Sequence, residues 1–263
     1  MVDYLIKVRG FSFVDAVRHL AGDDVQYKHV APIEKPPPER KKFELPPRNN
    51  DNERVIAYLQ SRGIAKQIII DCINQGSVYE SANWHNCVFL GRDDSGKARY
   101  ASLRGTIGNF KRDVDGSDKR FGFVIPPKNG KSDTLIVYES PVDALSHQTI
   151  YPEYSGWRLS LGCTALSALI NFLSRHSEVK SVVVGTDNDM AGNAAAAKIA
   201  ELQGISVSRA IPHSGKKDWN DALMTLKHEN KPSLIDRLEC AKAIAAETNN
   251  PAKPERAGST IWL

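Results

Sequence analysis

Residues 134–146 read TLIVYESPVDALS and residues 181–197 read SVVVGTDNDMAGNAAAA. Each is a short β-branched run, then a turn carrying carboxylates, then a helix-forming stretch. The first predicts a strand over Thr134–Tyr138 and a helix over Val142–Gln148; the second predicts Ser181–Gly185 and Ala191–Leu202. The same alternation recurs as Arg158–Leu161 with Leu166–Ser174, and as Ser206–Ile211 with Trp219–Leu226. Strands that alternate with helices call for a parallel sheet. The expected fold class is therefore α/β, with about four parallel strands flanked by helices over residues 131–230.

Ligands of an open parallel sheet collect at the carboxyl ends of its strands, and those ends are acidic here. Glu139 stands at the tip of the first strand, with Asp143 four residues on; Asp187 and Asp189 follow the third. In locally extended chain, residues i and i+2 point the same way, so Asp187 and Asp189 are expected to converge with Glu139. Two carboxylates about 4 Å apart repel by roughly 4 kcal/mol at an effective dielectric near 20, so such a cluster calls for a cation. All-oxygen donors without His or Cys point to Mg²⁺ or Mn²⁺. The alternative is that Asp143 and Asp189 cap helices while Glu139 is solvated. After the fourth strand, HSGKKDWND (213–221) places Asp218 and Asp221 three apart at a helix start, where one of them extends the metal site. Lys216 or Lys217 then offsets charge or holds a phosphate, and Trp219 is read as a packing residue.

Upstream, residues 52–74 read as a helical hairpin broken at Arg62-Gly63, and Asn86–Leu90 with Ala98–Leu103 as an antiparallel pair around Asp93–Gly96. Residues 85–131 hold ten Lys and Arg against five Asp, a surplus of five in a chain whose net charge is +4. A smaller, basic α+β subdomain over 51–130 is expected, with Arg99, Arg104, Lys119 and Arg120 as candidate phosphate contacts, joined by Lys216 from the turn before the last helix of the parallel-sheet domain. Six of the fourteen prolines lie in 31–48, which marks 31–50 as a linker. Residues 1–30 form a short helical module, expected as two helices separated near Gly10 and Ser12. Residues 231–263 are expected to hold a last helix over Leu234–Ala246 and a loose tail.

With 263 residues, 41% hydrophobic and 25% charged, the composition is that of a globular protein. No run approaches eighteen apolar residues and the first ten carry Asp3, Lys7 and Arg9, so a cytoplasmic protein with no membrane partner is expected. Cys72, Cys87, Cys163 and Cys240 form no CxxC or CxxH pair and read as reduced packing thiols. The absence of GxxxxGK[ST], GxGxxG and HExxH argues against a nucleotide-hydrolysing motor, a dinucleotide enzyme and a zinc protease.

Glu139 with Asp143, Asp187 with Asp189, and the later Asp218 and Asp221 resemble, in order and in placement, the TOPRIM domain of primases, topoisomerases and certain nucleases. YESPVDALS and VGTDNDMAGNAAAA are similar to the primase type, with Ser140 where that family often has Gly. KDWND, RYASLRGT and DGSDKRFGF resemble proteins of conjugative plasmids and transposons in which an uncharacterised basic domain precedes TOPRIM. The segment GFSFVDAVRHL resembles the end of a primase zinc-binding module, without its Cys and His ligands. The resemblance implies metal-dependent phosphoryl chemistry, with Asp187 and Asp189 holding Mg²⁺ and Glu139 completing the site or acting as general acid/base. It also implies single-stranded DNA and nucleotides as partners, and a replicative helicase or relaxase beside them. Primase-like nucleotidyl transfer is the first reading, a TOPRIM nuclease the second, and a non-catalytic DNA-binding accessory module the third.

Overall fold

The computed structural model describes residues 1–21, 41–162 and 165–229. The expected helix over Leu234–Ala246, the tail, Cys163, Cys240 and the linker up to residue 40 lie outside the described residues. The chain divides into two compact units, residues 1–40 and residues 41–263. In the first, α1 (Val2–Lys7) and α2 (Phe13–Ala21) are separated where Gly10 takes a left-handed φ of 70°. Ser12 caps α2: its Oγ accepts from the Asp15 N–H at 3.1 Å and donates to the Asp15 carboxylate at 2.5 Å.

The second unit opens with a helical hairpin, α3 (Glu53–Ser61) and α4 (Lys66–Asn74), turned at Gly63 with φ 83°. An antiparallel sheet follows, β1 (Val78–Glu80), β2 (Cys87–Arg92), β3 (Ala98–Arg104) and β4 (Lys111–Asp113), hydrogen-bonded in sequence order. The remaining strands are β5 (Phe123–Ile125), β6 (Thr134–Tyr138), β7 (Trp157–Ser160), β8 (Ser181–Val184) and β9 (Ser206–Arg209). They form one sheet in the order β5-β7-β6-β8-β9, with helices α5 (Pro141–Ile150), α6 (Ser167–Arg175), α7 (Met190–Ala200) and α8 (Trp219–Glu229) between and after the strands. Strands β6 to β9 are parallel, as expected, while β5 pairs antiparallel with β7. The sequence reading missed β5, a three-residue strand with too little length to show a period. Its approach requires Gly122, where a Cβ would lie 2.0 Å from the Ser160 carbonyl oxygen.

The central position of β6 follows from its composition. Leu135 and Val137 enter one apolar core with Trp157, Leu169, Phe172 and Ile199. Ile136 and Tyr138, on the opposite face, enter another with Val142, Leu145, Trp219 and Leu223. Alternate residues of one strand thus seal two cores, which is the signature of a parallel strand covered on both sides. The second core also takes Val55, Leu59, Ile64 and Ile69 from α3, α4 and the turn between them. Trp219 is a packing residue: it lies against Tyr138 and His147 and donates its Nε1–H to the Gly185 carbonyl at 2.8 Å.

One buried anion organises the junction of the hairpin and the first sheet. The Glu80 side chain is fully buried; Oε2 accepts from the N–H groups of Arg54 and Val55, at 3.0 and 3.2 Å, in the first turn of α3. Oε1 meets Asn49 Nδ2 at 3.0 Å and His85 Nδ1 at 2.5 Å. A carboxylate at a helix N-terminus is favoured by the helix dipole and satisfies N–H groups that have no partner within the helix. Replacing it leaves those donors buried and unpaired, so Glu80→Ala is expected to lower unfolding stability by about 2–3 kcal/mol in urea denaturation, and Glu80→Gln by less. A loss below about 0.5 kcal/mol, the range of ordinary surface substitutions, would contradict this role.

Candidate active site

A cavity of about 590 Å³ lies between the carboxyl ends of β6 and β8 on one side and the β3–β4 hairpin on the other. At the tip of β6, Ser140 caps α5: its Oγ accepts from the Asp143 N–H at 3.4 Å and donates to Asp143 Oδ2 at 2.6 Å. Pro141 occupies the first turn, where its missing N–H costs nothing. Asp143 is thereby held buried in the cavity wall, with Oδ1 accepting from the Asn220 N–H at 3.3 Å. Burial, and then the charge of Asp218, push its carboxyl up to about 6.

Asp187 follows β8 in a turn built from backbone contacts. A Cβ on Gly192 would stand 2.0 Å from the Asp187 carbonyl oxygen, so only glycine lets α7 start this close. Thr186 Oγ1 donates to the Gly192 carbonyl at 2.8 Å. From the end of β9, the Arg209 guanidinium donates to Thr186 Oγ1, to the Asp187 carbonyl at 3.0 Å and to Asn193 Oδ1 at 3.1 Å. The Asp187 N–H donates to Glu139 Oε1 at 3.3 Å, linking the two strand tips. Asp187 Oδ1 is buried and, among the described residues, has no hydrogen-bond partner. Burial first, then the charges of Asp143, Glu139, Asp218 and Asp189, push this carboxyl up to about 7. Glu139 is also raised, by burial and by Asp189, against the lowering effect of the Asp187 N–H.

The remaining expected ligands fall in different places. Asp189 caps α7, Oδ1 accepting from the Gly192 N–H at 2.9 Å, and its other oxygen lies 3.5 Å from Lys217 Nζ. The Gly192 N–H, followed by Lys217, holds it below the usual carboxylate range, and it does not line the cavity. Asp218 does line it, and accepts from the Asp221 N–H at 2.7 Å; Asp221 is exposed outside it. Around Asp187 the structure gathers Glu139, Asp143 and Asp218. Among the described residues, no three His, Cys, Asp or Glu side chains stand close enough to cage an ion. The orphaned Asp187 oxygen and its hard oxygen neighbours fit an ion of the Mg²⁺ type, held by one or two carboxylates together with waters and substrate phosphates.

Cations line the same cavity: Arg104, Lys111 and Arg112 from the β3–β4 hairpin, and Arg62 and Lys217 beside the carboxylates. Arg62 is set by Asn220, which accepts from Arg62 Nε at 2.6 Å and donates to the Arg62 carbonyl at 2.8 Å and to Ser146 Oγ at 2.9 Å. All five aspartates of the basic segment are paired: Asp93 with Arg99, Asp94 with Arg175, Asp113 with Lys119, Asp115 with Lys41 and Arg112, and Asp118 with Arg120. Arg99, Lys119 and Arg120 are therefore neutralised within their own subdomain. Arg104 and Lys111 have no carboxylate partner among the described residues, and both face the cavity. Of the two lysines before α8, Lys217 lines the cavity and Lys216 does not. Sequence reasoning passed over Arg62, Lys111, Arg112, Asn220 and Arg209. The only local trace of the second and third was the charged KRD run that becomes β4.

Residues 136–223 match the family described as Toprim-like, and residues 57–130 match the family described as a protein of unknown function, DUF3991. No curated protein gives a significant match. Among solved structures, the chain is similar to the primase fragment of the bacteriophage T7 primase-helicase protein, with 17% identity, 72% of this chain and 79% of that chain covered, and a TM-score of 0.52. It is also similar to the E. coli primase catalytic core, with 17% identity, 68% and 70% coverage and a TM-score of 0.47. The T7 likeness is one of fold, and the fold is primase-like.

The clustered anions set a pH dependence. Asp187 has an ordinary value of 3.8 and about 7 when folded, so between those values the folded state holds the extra proton and stability falls as pH rises. Asp187→Asn is expected to melt above the wild type at pH 8, by on the order of 1 kcal/mol after solvent screening, roughly 2–4 °C. The difference should shrink toward pH 4 in scanning calorimetry. A variant less stable than wild type at pH 8 would contradict the repulsion.

Proposed function

We propose that this chain, a Toprim-like domain preceded by a DUF3991 domain, is a metal-dependent nucleotidyltransferase of the primase kind, joining nucleotides on a single-stranded DNA template. The observation that carries the reading is the two-walled cavity, anionic from Asp187, Glu139, Asp143 and Asp218 and cationic from Arg62, Arg104 and Lys111. A nucleoside triphosphate with its cation has this charge pattern: the ion belongs with the carboxylates, the phosphates with the guanidinium and ammonium groups.

Asp187, with substrate phosphates and waters, would hold Mg²⁺ or Mn²⁺, which when bound would supply Lewis-acid stabilisation of charge on the phosphate oxygens. The protein's own contributions are binding, orientation and proton movement. Arg104 and Lys111 draw the triphosphate against the β3–β4 hairpin. Arg62, fixed by Asn220, orients it. Glu139 takes the proton of the attacking 3′-hydroxyl as the new phosphorus–oxygen bond forms and pyrophosphate leaves. Arg209 and Gly192 hold the Asp187 turn and touch no substrate. A helicase or relaxase partner and a mobile-element setting belong to the same reading and rest on the resemblance of the basic segment.

Incubation with single-stranded DNA, ribonucleoside triphosphates and Mg²⁺ or Mn²⁺ is expected to yield short oligomers. Asp187→Asn should lower the rate roughly hundredfold or more, the scale for losing one electrostatic stabiliser of a transition state. Arg104→Ala should raise the nucleotide KM. Shortened DNA in place of new oligomers would assign a nuclease, and retained DNA binding with neither product would assign an accessory module.

A further inference from the structure

A second cavity, of about 650 Å³, lies on the antiparallel sheet and is lined by Trp84, Ile107, Phe110, Arg54, His85 and Gly105 among others. Its apolar groups are open to solvent: Trp84 is 87% exposed, Ile107 82% and Phe110 47%. Trp84 and His85 are the two non-glycine residues with left-handed backbone among those described, at φ 66° and 50°. Such backbone is unfavourable for a bulky residue and persists only where its surroundings enforce it. Here they do. Ser81 Oγ donates to the Asn83 carbonyl at 2.6 Å and accepts from the Asn86 N–H at 3.0 Å. Thr106 Oγ1 donates to the His85 carbonyl at 2.9 Å, and His85 Nδ1 meets buried Glu80 at 2.5 Å. Trp84 is thus an indole held out into water on a rigid turn, a cost with no return in the core.

We propose that this cavity is a nucleobase subsite, in which an unpaired base of a single strand stacks on Trp84. Three observations favour that occupant. A flat aromatic surface beside an aliphatic side chain is sequence-tolerant toward any base. The cation Arg54 lines it while no Asp or Glu among the described residues does, and the Glu80 carboxylate behind His85 is fully buried, so the surface accepts a polyanion. The same β3–β4 hairpin that lines this cavity with Gly105, Thr106 and Phe110 lines the first one with Arg104 and Lys111. A strand leaving the carboxylate cavity along the hairpin meets phosphate-binding charge first and the indole next. The inference rests on reading the first cavity as a nucleic-acid site, and its test separates the two.

The test is the affinity of the full chain for a fluorescent oligo-dT and for a duplex of equal length, by anisotropy across a salt series. Trp84→Ala is expected to weaken single-strand binding roughly tenfold, leave duplex binding within twofold and leave the salt slope unchanged, because stacking carries no charge. Trp84→Phe should recover most of the loss. Trp84→Gly, which fits left-handed backbone without strain, should behave like Trp84→Ala and so exclude misfolding as the cause. Arg54→Ala should reduce the salt slope by about one. Unchanged single-strand affinity in Trp84→Ala, or no single-strand binding by the wild type, would overturn the subsite. Unchanged affinity with lost self-association in sedimentation would assign the patch to a protein interface. A tenfold loss in a chain that makes no oligomers would keep the subsite and remove the polymerase reading.

Discussion

Strand β6 is buried on both faces, and that constraint fixes where the chemistry can be. Leu135 and Val137 are committed to one core, Ile136 and Tyr138 to the other, so a slip of one residue would exchange every contact. The first residue free of this demand is Glu139, which emerges at the carboxyl edge beside the end of β8. Because the Tyr138 core also takes α3 and α4, the cationic wall and the carboxylate wall are anchored to one apolar body. Arg62 comes directly after α3 and Asn220 from the start of α8, and their mutual hydrogen bonds cross that body at its rim.

The site is unfavourable by itself. Asp187 has a buried oxygen without a partner and four carboxylates near enough to raise its pKa, while Arg209 and Gly192 clamp its backbone so that it cannot relax away. Burial and these neighbours push the Asp187 carboxyl up to about 7, so a proton, or a cation in its place, relieves the Coulomb cost. Asp189 adds its charge to that cluster from outside the cavity. Its capping bond to Gly192 and its nearness to Lys217 keep it ionised at the edge of the turn. The same turn therefore presents two carboxylates of opposite character two residues apart.

Much of this was legible in the sequence because the periods are clean. SVVV and TLIVY each run without a polar break between turn residues, and the structure places β8 and β6 within a residue of the expected ranges. The acidic tips were legible because a strand must end before its polar residues begin. What was not legible is whatever depends on side-chain direction across the fold. Asp187 and Asp189 were expected to converge by the i, i+2 rule, yet the N–H of Gly192 draws Asp189 into a cap. Ser140 draws Asp143 into another, but leaves it on the cavity. The basic surplus read as one patch, whereas Arg99, Arg112, Lys119 and Arg120 are paired with the segment's own aspartates, and of its cations without a carboxylate partner among the described residues Arg104 and Lys111 line the cavity. Nothing in a linear charge count distinguishes Arg99, paired with Asp93 six residues before it, from Arg104.

The proposed role of Asp187 requires that a divalent cation take the place of its proton. Titration calorimetry of Mn²⁺ into the protein at pH 6, in buffers of different ionisation enthalpy, measures both the binding and the protons released. Binding is expected with release of close to one proton at pH 6, little release at pH 8.5, and loss of both signals in Asp187→Asn. Binding of Mn²⁺ that is equally tight in Asp187→Asn, or that releases no proton at pH 6, would contradict it.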